Sequence, residues 1–246
     1  MQMPEGPTII IAKNNLQKFI NKRVMAAQGY TPAFEPAILE GKVLTDIKSW
    51  GKHLLLCFGK ITVRVHFMLF GSYKIDERGK NNAVLQLEFT NGTLYFYVAK
   101  LLLIEDDLDK IYDWQADIMN DDFNPDKVIE KIKAKPNRMI CDVLMDQQVF
   151  SGVGNIIKNE ALFRSKVHPE SIAGSIPAAK LKQLINQTVT YTFEFLDQKQ
   201  AGTLSRNWQA YEQDECPRNQ VPFIKQELGK TKRWCYYCNK CQKLYK

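Results

Sequence analysis

The stretch from Leu144 to Pro169, LMDQQVFSGVGNIIKNEALFRSKVHP, decides how the chain is read. Met139 to Gln148 predicts one helix and Asn155 to Phe163 another, with Ser151-Gly152-Val153-Gly154 as a tight connector between them. Two glycines ahead of a helix N-terminus leave room for a phosphate to approach backbone N–H groups at the positive end of the helix dipole. The same Gly-x-Gly-Asn turn also serves as an ordinary link between helices, so the spacing alone leaves both readings open.

Working outward, the remaining helical segments are Val128 to Ala134 and Ala178 to Asp197. The chain before them is mostly β. Leu54 to Phe58, Ile61 to Phe67, Ala83 to Phe89 and Thr93 to Val98 are rich in β-branched and aromatic residues, and Asn91-Gly92 is a strong hairpin turn signal. A leading helix spans Thr8 to Lys22, with Ile9, Ala12, Leu16, Phe19 and Ile20 on one face. The acidic, turn-rich segment 113–125 reads as a linker between domains. The expected division is therefore 1–112, 113–125, 126–200 and 201–246, a multidomain α and β protein.

The 246 residues carry a net charge of +7. Residues 201–246 hold nine Lys/Arg against four Asp/Glu, so most of that excess lies at the C-terminal end. A basic chain favours an acidic partner, of which nucleic acid is the commonest. No apolar run approaches the roughly 20 residues of a membrane span. Cys57 and Cys141 stand alone, whereas Cys216, Cys235, Cys238 and Cys241 gather near the end. That distribution suits a metal site in a reducing, cytoplasmic setting better than a secreted disulfide scaffold.

Asp146-Gln147, Gly152-x-Gly154-Asn155-Ile156, Asn159-Glu160-x-Leu162-Phe163 and His168-Pro169 together resemble the helix-two-turn-helix signature of the formamidopyrimidine-DNA glycosylase and endonuclease VIII family. Pro4-Glu5-Gly6-Pro7 is similar to the start of the endonuclease VIII branch, Ser49 to Leu54 to its Gly-Lys motif, and His66 to Gly71 to its void-filling loop. The tail Cys238-x-x-Cys241-Gln242, with Arg233 five residues before Cys238, resembles the closing hairpin of its zinc finger.

The resemblance implies an N-terminal β-sandwich with a leading helix, a helix-two-turn-helix domain and a C-terminal β-hairpin zinc finger. It implies a monomeric glycosylase and strand-nicking lyase acting on double-stranded DNA with damaged or abasic sites, held in a cleft between lobes. Pro4 would be the nucleophile, Glu5 the general acid/base and Lys52 a helper of the lyase step. Met68, Leu69 and Phe70 would fill the gap left by a flipped nucleotide, Asn155 and Arg233 would contact phosphates, and Arg233 would also serve catalysis in the second step of a β,δ-elimination. Tyr97 to Leu102 lacks the Arg-Arg-Phe of the purine-specific branch, which points to oxidised pyrimidines.

Three departures bear on this. Asn219 stands where the first Cys-x-x-Cys pair would have its second cysteine, so the implied zinc set is Cys216, Cys235, Cys238 and Cys241; a metal-free hairpin packed by Trp234, Tyr236 and Tyr237 is the alternative. Thr8 replaces a second acid after Pro7. Met1-Gln2-Met3 precedes Pro4, whose nitrogen is then an amide with its lone pair delocalised. The active form is expected to begin at Pro4; a non-catalytic binder of damaged or abasic DNA is the alternative.

Overall fold

The computed structural model describes residues 4–246, and Met1-Gln2-Met3 lie outside the described residues. The chain forms two compact units, the first ending at Asp113 and the second running from Trp114 to Lys246.

In the first unit, helix α1 (Gly6–Asn15) is followed by strands β1 (Val24–Gln28), β2 (Asp46–Trp50), β3 (His53–Phe58), β4 (Ile61–Ile75), β5 (Leu85–Phe89) and β6 (Gly92–Ile104), then a one-turn helix α2 (Leu108–Ile111). All six strands join one antiparallel sheet in the order β1-β5-β6-β4-β3-β2. The long strands β4 and β6 belong to both halves. Residues 62–67 of β4 pair with 99–104 of β6, residues 72–75 pair with 94–97, and the register breaks between Phe67 and Ser72. Leu54, Leu56, Val63 and Val65 from one half share a buried cluster with Val24, Leu85, Leu87, Leu94 and Phe96 from the other. The sheet is thus a sandwich folded about the break in β4, with Ile9, Ala12, Leu16 and Phe19 of the leading segment closing its core.

The expected helix from Thr8 to Lys22 is shorter, because α1 stops at Asn15 and a 3-10 turn covers Gln17–Phe19. Asn91, in the turn between β5 and β6, takes the Lys18 carbonyl at 2.7 Å, and Asn21 adopts φ +62°. An amide side chain has claimed a carbonyl at the end of this turn.

The second unit contains α3 (Pro125–Ala134), α4 (Ile140–Met145), α5 (Asn155–Arg164), α6 (Ala178–Gln200) and the hairpin β7 (Ile224–Leu228) with β8 (Arg233–Tyr237). The stretch read as a linker is largely part of this unit. Ala116 and Ile118 are buried, Phe123 packs on the core, and the Ile118 N–H donates to the Ser151 carbonyl at 3.1 Å. Its few apolar residues were masked in the sequence by seven acidic and amide neighbours. The hairpin is likewise no separate module, since Leu228, Cys235 and Tyr237 lie in the same cluster as Ile156, Ile157 and Leu162 of α5.

Helix α5 has nine of its ten residues buried, including Lys158, Asn159 and Glu160. Polar groups at such depth need partners. The Glu160 carboxylate accepts from the backbone N–H groups of Gln209, Ala210 and Tyr211 at 2.8–3.1 Å, fixing the start of the C-terminal segment. Burial pushes the Glu160 carboxyl up, and these N–H bonds pull it back. Glu160→Ala leaves three N–H groups without their acceptor, at an expected cost of about 3 kcal/mol in urea unfolding; a loss below about 0.5 kcal/mol would show that the contact is not structural.

Candidate functional site

In the first unit, Glu5 is the N-cap of α1 and fully buried. Its backbone is locked by Thr8, whose hydroxyl accepts from the Glu5 N–H at 3.1 Å and donates to the Glu5 carbonyl at 2.7 Å. The departure at Thr8 therefore has a local purpose, which is half of a capping box. Pro4 immediately precedes this fixed point.

Lys52 occupies the tip of a hairpin. Trp50 pairs with His53 across β2 and β3, leaving Gly51-Lys52 as a two-residue turn, and Gly51 takes φ +53°. A β-carbon at that φ is costly, which explains the glycine before the lysine. His53 and His66 face each other across β3 and β4, with ring centroids 5.3 Å apart, and His66 hydrogen-bonds the Lys52 backbone. Trp50 and Tyr112 pack around His53, and the Trp50 indole donates to the Asp113 carbonyl at 2.9 Å. His53 is thus packed among Trp50, His66 and Tyr112, and His66 stands behind Lys52.

Met68, Leu69 and Phe70 are 47%, 50% and 56% exposed. All three stand out of the sheet because β4 bulges here. Phe70 adopts φ +71°, as does Val98 opposite at +51°, both unusual for residues with a β-carbon. Gly71 makes the bulge possible, since a β-carbon there would lie 2.7 Å from the Val98 carbonyl oxygen and 2.9 Å from the Met68 nitrogen. Three adjacent large apolar side chains held in water by a strained backbone form a protruding apolar wedge.

The second unit brings Asn155 and Arg233 to one scaffold. Gln147 shapes the connector, accepting from the Gly152 N–H at 3.1 Å and donating to the Val153 carbonyl at 3.0 Å. Asn155 opens α5, and its buried amide oxygen has no partner among the described residues. One turn on, the Asn159 side-chain N–H group donates to the Asn155 carbonyl at 2.8 Å and to the Trp234 carbonyl at 3.1 Å, while its oxygen accepts from the Tyr236 N–H at 2.9 Å. The Lys158 ammonium donates to the same Trp234 carbonyl at 3.1 Å. At the turn of the hairpin, the Asp142 carboxylate of α4 accepts from the Lys230 N–H at 3.0 Å. Arg233, at the start of β8, is positioned from both sides by these bonds. Asn159 and Glu160 stood in the sequence motif without a role, and Asp142 and Lys158 were missed; three consecutive polar residues inside a helix that must be buried were the available signal.

Cys216, Cys238 and Cys241 place their sulfurs within 4.8 Å of one another, a group that can hold a metal ion. Cys235 does not join them. Strand alternation turns its thiol into the core, 3.1 Å from the Lys158 ammonium. The fourth side is taken by Asn219, whose amide N–H group reaches Cys238 Sγ at 3.5 Å and Cys216 Sγ at 3.8 Å. Arg218 lies 3.7 Å from Cys241 Sγ and stacks on Phe163. Burial pushes the Cys238 thiol up, but hydrogen bonds from Asn219 and the Cys241 and Lys240 backbone outweigh it and leave it at about 7.

Two buried helices joined by a glycine turn, with a hairpin finger locked onto the second, define a protein of the helix-two-turn-helix class. The family model for the formamidopyrimidine-DNA glycosylase N-terminal domain matches residues 3–100, and that for the formamidopyrimidine-DNA glycosylase H2TH domain matches residues 115–205. The chain belongs to the formamidopyrimidine-DNA glycosylase and endonuclease VIII family. It is 32% identical to endonuclease 8-like 3 of Xenopus laevis, over 83% of this chain and 35% of that protein, so it spans about a third of the length of that curated relative. A probable endonuclease 8 of Streptomyces coelicolor is 25% identical over 98% of this chain and 94% of its own. The fold matches that of Lactococcus lactis formamidopyrimidine-DNA glycosylase, solved non-covalently bound to DNA containing an AP site, with a TM-score of 0.86, 21% identity and coverage of 97% and 99%.

Burial lowers the His53 imidazole to about 3, with Arg64 and His66 adding to the effect. The unfolded chain binds a proton near pH 6.5 and the folded chain does not, so stability falls as the pH drops below 6.5 and continues to fall towards 3. Between pH 7 and 5 the wild type should lose about 1–2 kcal/mol more than His53→Phe in urea unfolding; parallel curves would show that His53 does not titrate in this way.

Proposed function

We propose that this chain is a DNA glycosylase and abasic-site lyase that removes oxidised bases, pyrimidines in preference to purines, from double-stranded DNA. The observation that carries the reading is the wedge of Met68, Leu69 and Phe70, held in solvent at a strained bulge. An enzyme acting on a base inside a duplex must turn the nucleotide out, and apolar side chains are the usual fill for the gap. Family membership and the abasic DNA bound by the Lactococcus lactis relative support the same substrate.

In this reading the free Pro4 amine attacks the sugar carbon bearing the damaged base. A C–N bond forms as the bond to the base breaks, and the departing base takes a proton. Glu5, next to Pro4, protonates the ring oxygen as the sugar opens. The resulting iminium is cationic without further protonation, so it draws electrons as the C2′ proton is removed and the 3′ phosphate leaves. Lys52 approaches the phosphate at that step, and Asn155 and Arg233 hold the flanking backbone by charge-assisted and helix-terminal contacts. Acylated by Met3, Pro4 has no such lone pair, so the active form requires a free Pro4.

Borohydride trapping on an abasic duplex tests the reading. The form beginning at Pro4 should give a covalent adduct and excise thymine glycol faster than 8-oxoguanine. The intact form beginning at Met1 should bind without trapping. Equal trapping by both forms would move the nucleophile to Lys52; no trapping by either would make the protein a binder of damaged DNA.

We also propose that Cys216, Cys238 and Cys241 hold a structural zinc ion. Two thiolates on a tetrahedral zinc lie about 3.8 Å apart when each bond is about 2.3 Å, and Cys216 Sγ and Cys241 Sγ are 3.9 Å apart. Asn219 faces the fourth position, where an amide is a poor ligand, so Asn219→Cys should raise zinc retention against a chelator by about tenfold or more. Loss of the bound metal in that variant would refute the assignment.

A further inference from the structure

Cys141 and Cys235 are both buried and free, and neither has a part in the proposed reaction or the metal cluster. Cys141 lies in the first turn of α4, and Cys235 is the middle residue of β8. Their side chains hydrogen-bond each other, and Lys158, 1% exposed, places its ammonium 3.1 Å from Cys235 Sγ. A buried ammonium needs an acceptor of negative charge. Lys158 has the Trp234 carbonyl and this sulfur. The arrangement is therefore an ion pair in waiting, with a second thiol against it. The hydrogen bond from Cys141 and the Lys158 charge outweigh burial and hold the Cys235 thiol at about 7, while Cys141 is pushed up.

We propose that Cys235 and Cys141 form an oxidation site that a small peroxide converts to a disulfide, loosening the clamp that positions Arg233. The Cys235 thiolate attacks the peroxide, forming an S–O bond as the O–O bond breaks, so that sulfur is oxidised by two electrons and hydroxide is released. Cys141 then attacks the Cys235 sulfur. The S–S bond forms, the S–O bond breaks, and the leaving hydroxide takes the Cys141 proton as water. Overall, two thiols and one hydrogen peroxide give one disulfide and two waters.

The product no longer offers Lys158 a thiolate. The ammonium remains buried with the Trp234 carbonyl, one residue from Arg233, so the strand end bearing Arg233 loses part of its support. The effect on DNA rests on the reading of Arg233 as a phosphate contact; formation of the bond does not. Both sulfurs are inaccessible in the closed fold, so the reaction proceeds through local opening of the hairpin and favours a small oxidant over a bulky thiol reagent.

The test uses the zinc-loaded full chain treated with hydrogen peroxide, with and without later dithiothreitol. Peptide mapping should show a reducible link between the Cys141 and Cys235 peptides, fragment ions separating Cys235 from Cys238. Binding to an abasic duplex should weaken about tenfold, the worth of one charge-assisted hydrogen bond, and recover on reduction. Cys235→Ser and Cys141→Ala should remove the link and the peroxide sensitivity, with circular dichroism confirming that each is folded. A link from Cys235 to Cys238 instead, or free Cys141 and Cys235 after treatment, overturns the proposal. A mapped Cys141–Cys235 link with unchanged binding overturns its effect on Arg233. Failure of the reduced wild type to bind abasic DNA counts against the functional reading alone, because the mapped link is scored independently.

Discussion

The side chain of Asn159 is the contact on which the second unit turns. One amide joins the carbonyl of Asn155, at the head of α5, to the carbonyl of Trp234 and the N–H of Tyr236 in β8. It does so from inside a helix buried on nearly every side, where a polar group without partners would be strongly destabilising. The helix and the hairpin are thus not independently placed. Lys158 and Glu160, on either side of Asn159, extend the same constraint to Cys235 and to the backbone at Gln209–Tyr211.

The first unit solves a different problem with the opposite material. Its core is a closed apolar sandwich, and the groups assigned a role in chemistry sit where regular pairing stops. Glu5 caps a helix start, Lys52 tips a two-residue turn, and the wedge stands on a break in β4. Each departure from regularity is supported nearby, by Thr8, Gly51 and Gly71 respectively. Local strain at a bulge persists only where the surrounding ladder over-determines the backbone, and β4 is paired on both sides of Phe67–Ser72.

The finger shows how one altered residue redistributes a site. With Asn219 in place of a cysteine, an extra cysteine three residues before the Cys238/Cys241 pair invites the inference that Cys235 completes a four-sulfur set. The pleat of β8 decides otherwise, because Cys235 shares the inward face with Tyr237 and meets α4 and α5, whereas Cys238 follows the strand and turns toward Cys216. The partners differ as well, with Lys158 beside Cys235, Asn219 beside Cys216 and Cys238, and Arg218 beside Cys241.

Periodicity, glycine placement and turn chemistry are local properties, and the sequence by itself determined what depends on them: the β-rich first half, the helices of the second and the Ser151–Gly154 connector. Contacts between residues far apart in the chain follow from packing, so only the tertiary structure decided the rest. It folded most of 113–125 into the second unit, through Ala116, Ile118 and Phe123, and shortened the first helix through Asn91. It set Asp142 under the hairpin turn and separated Cys235 from the other three cysteines. Spacing along a chain records which residues can share a face; it does not record which distant face they will meet.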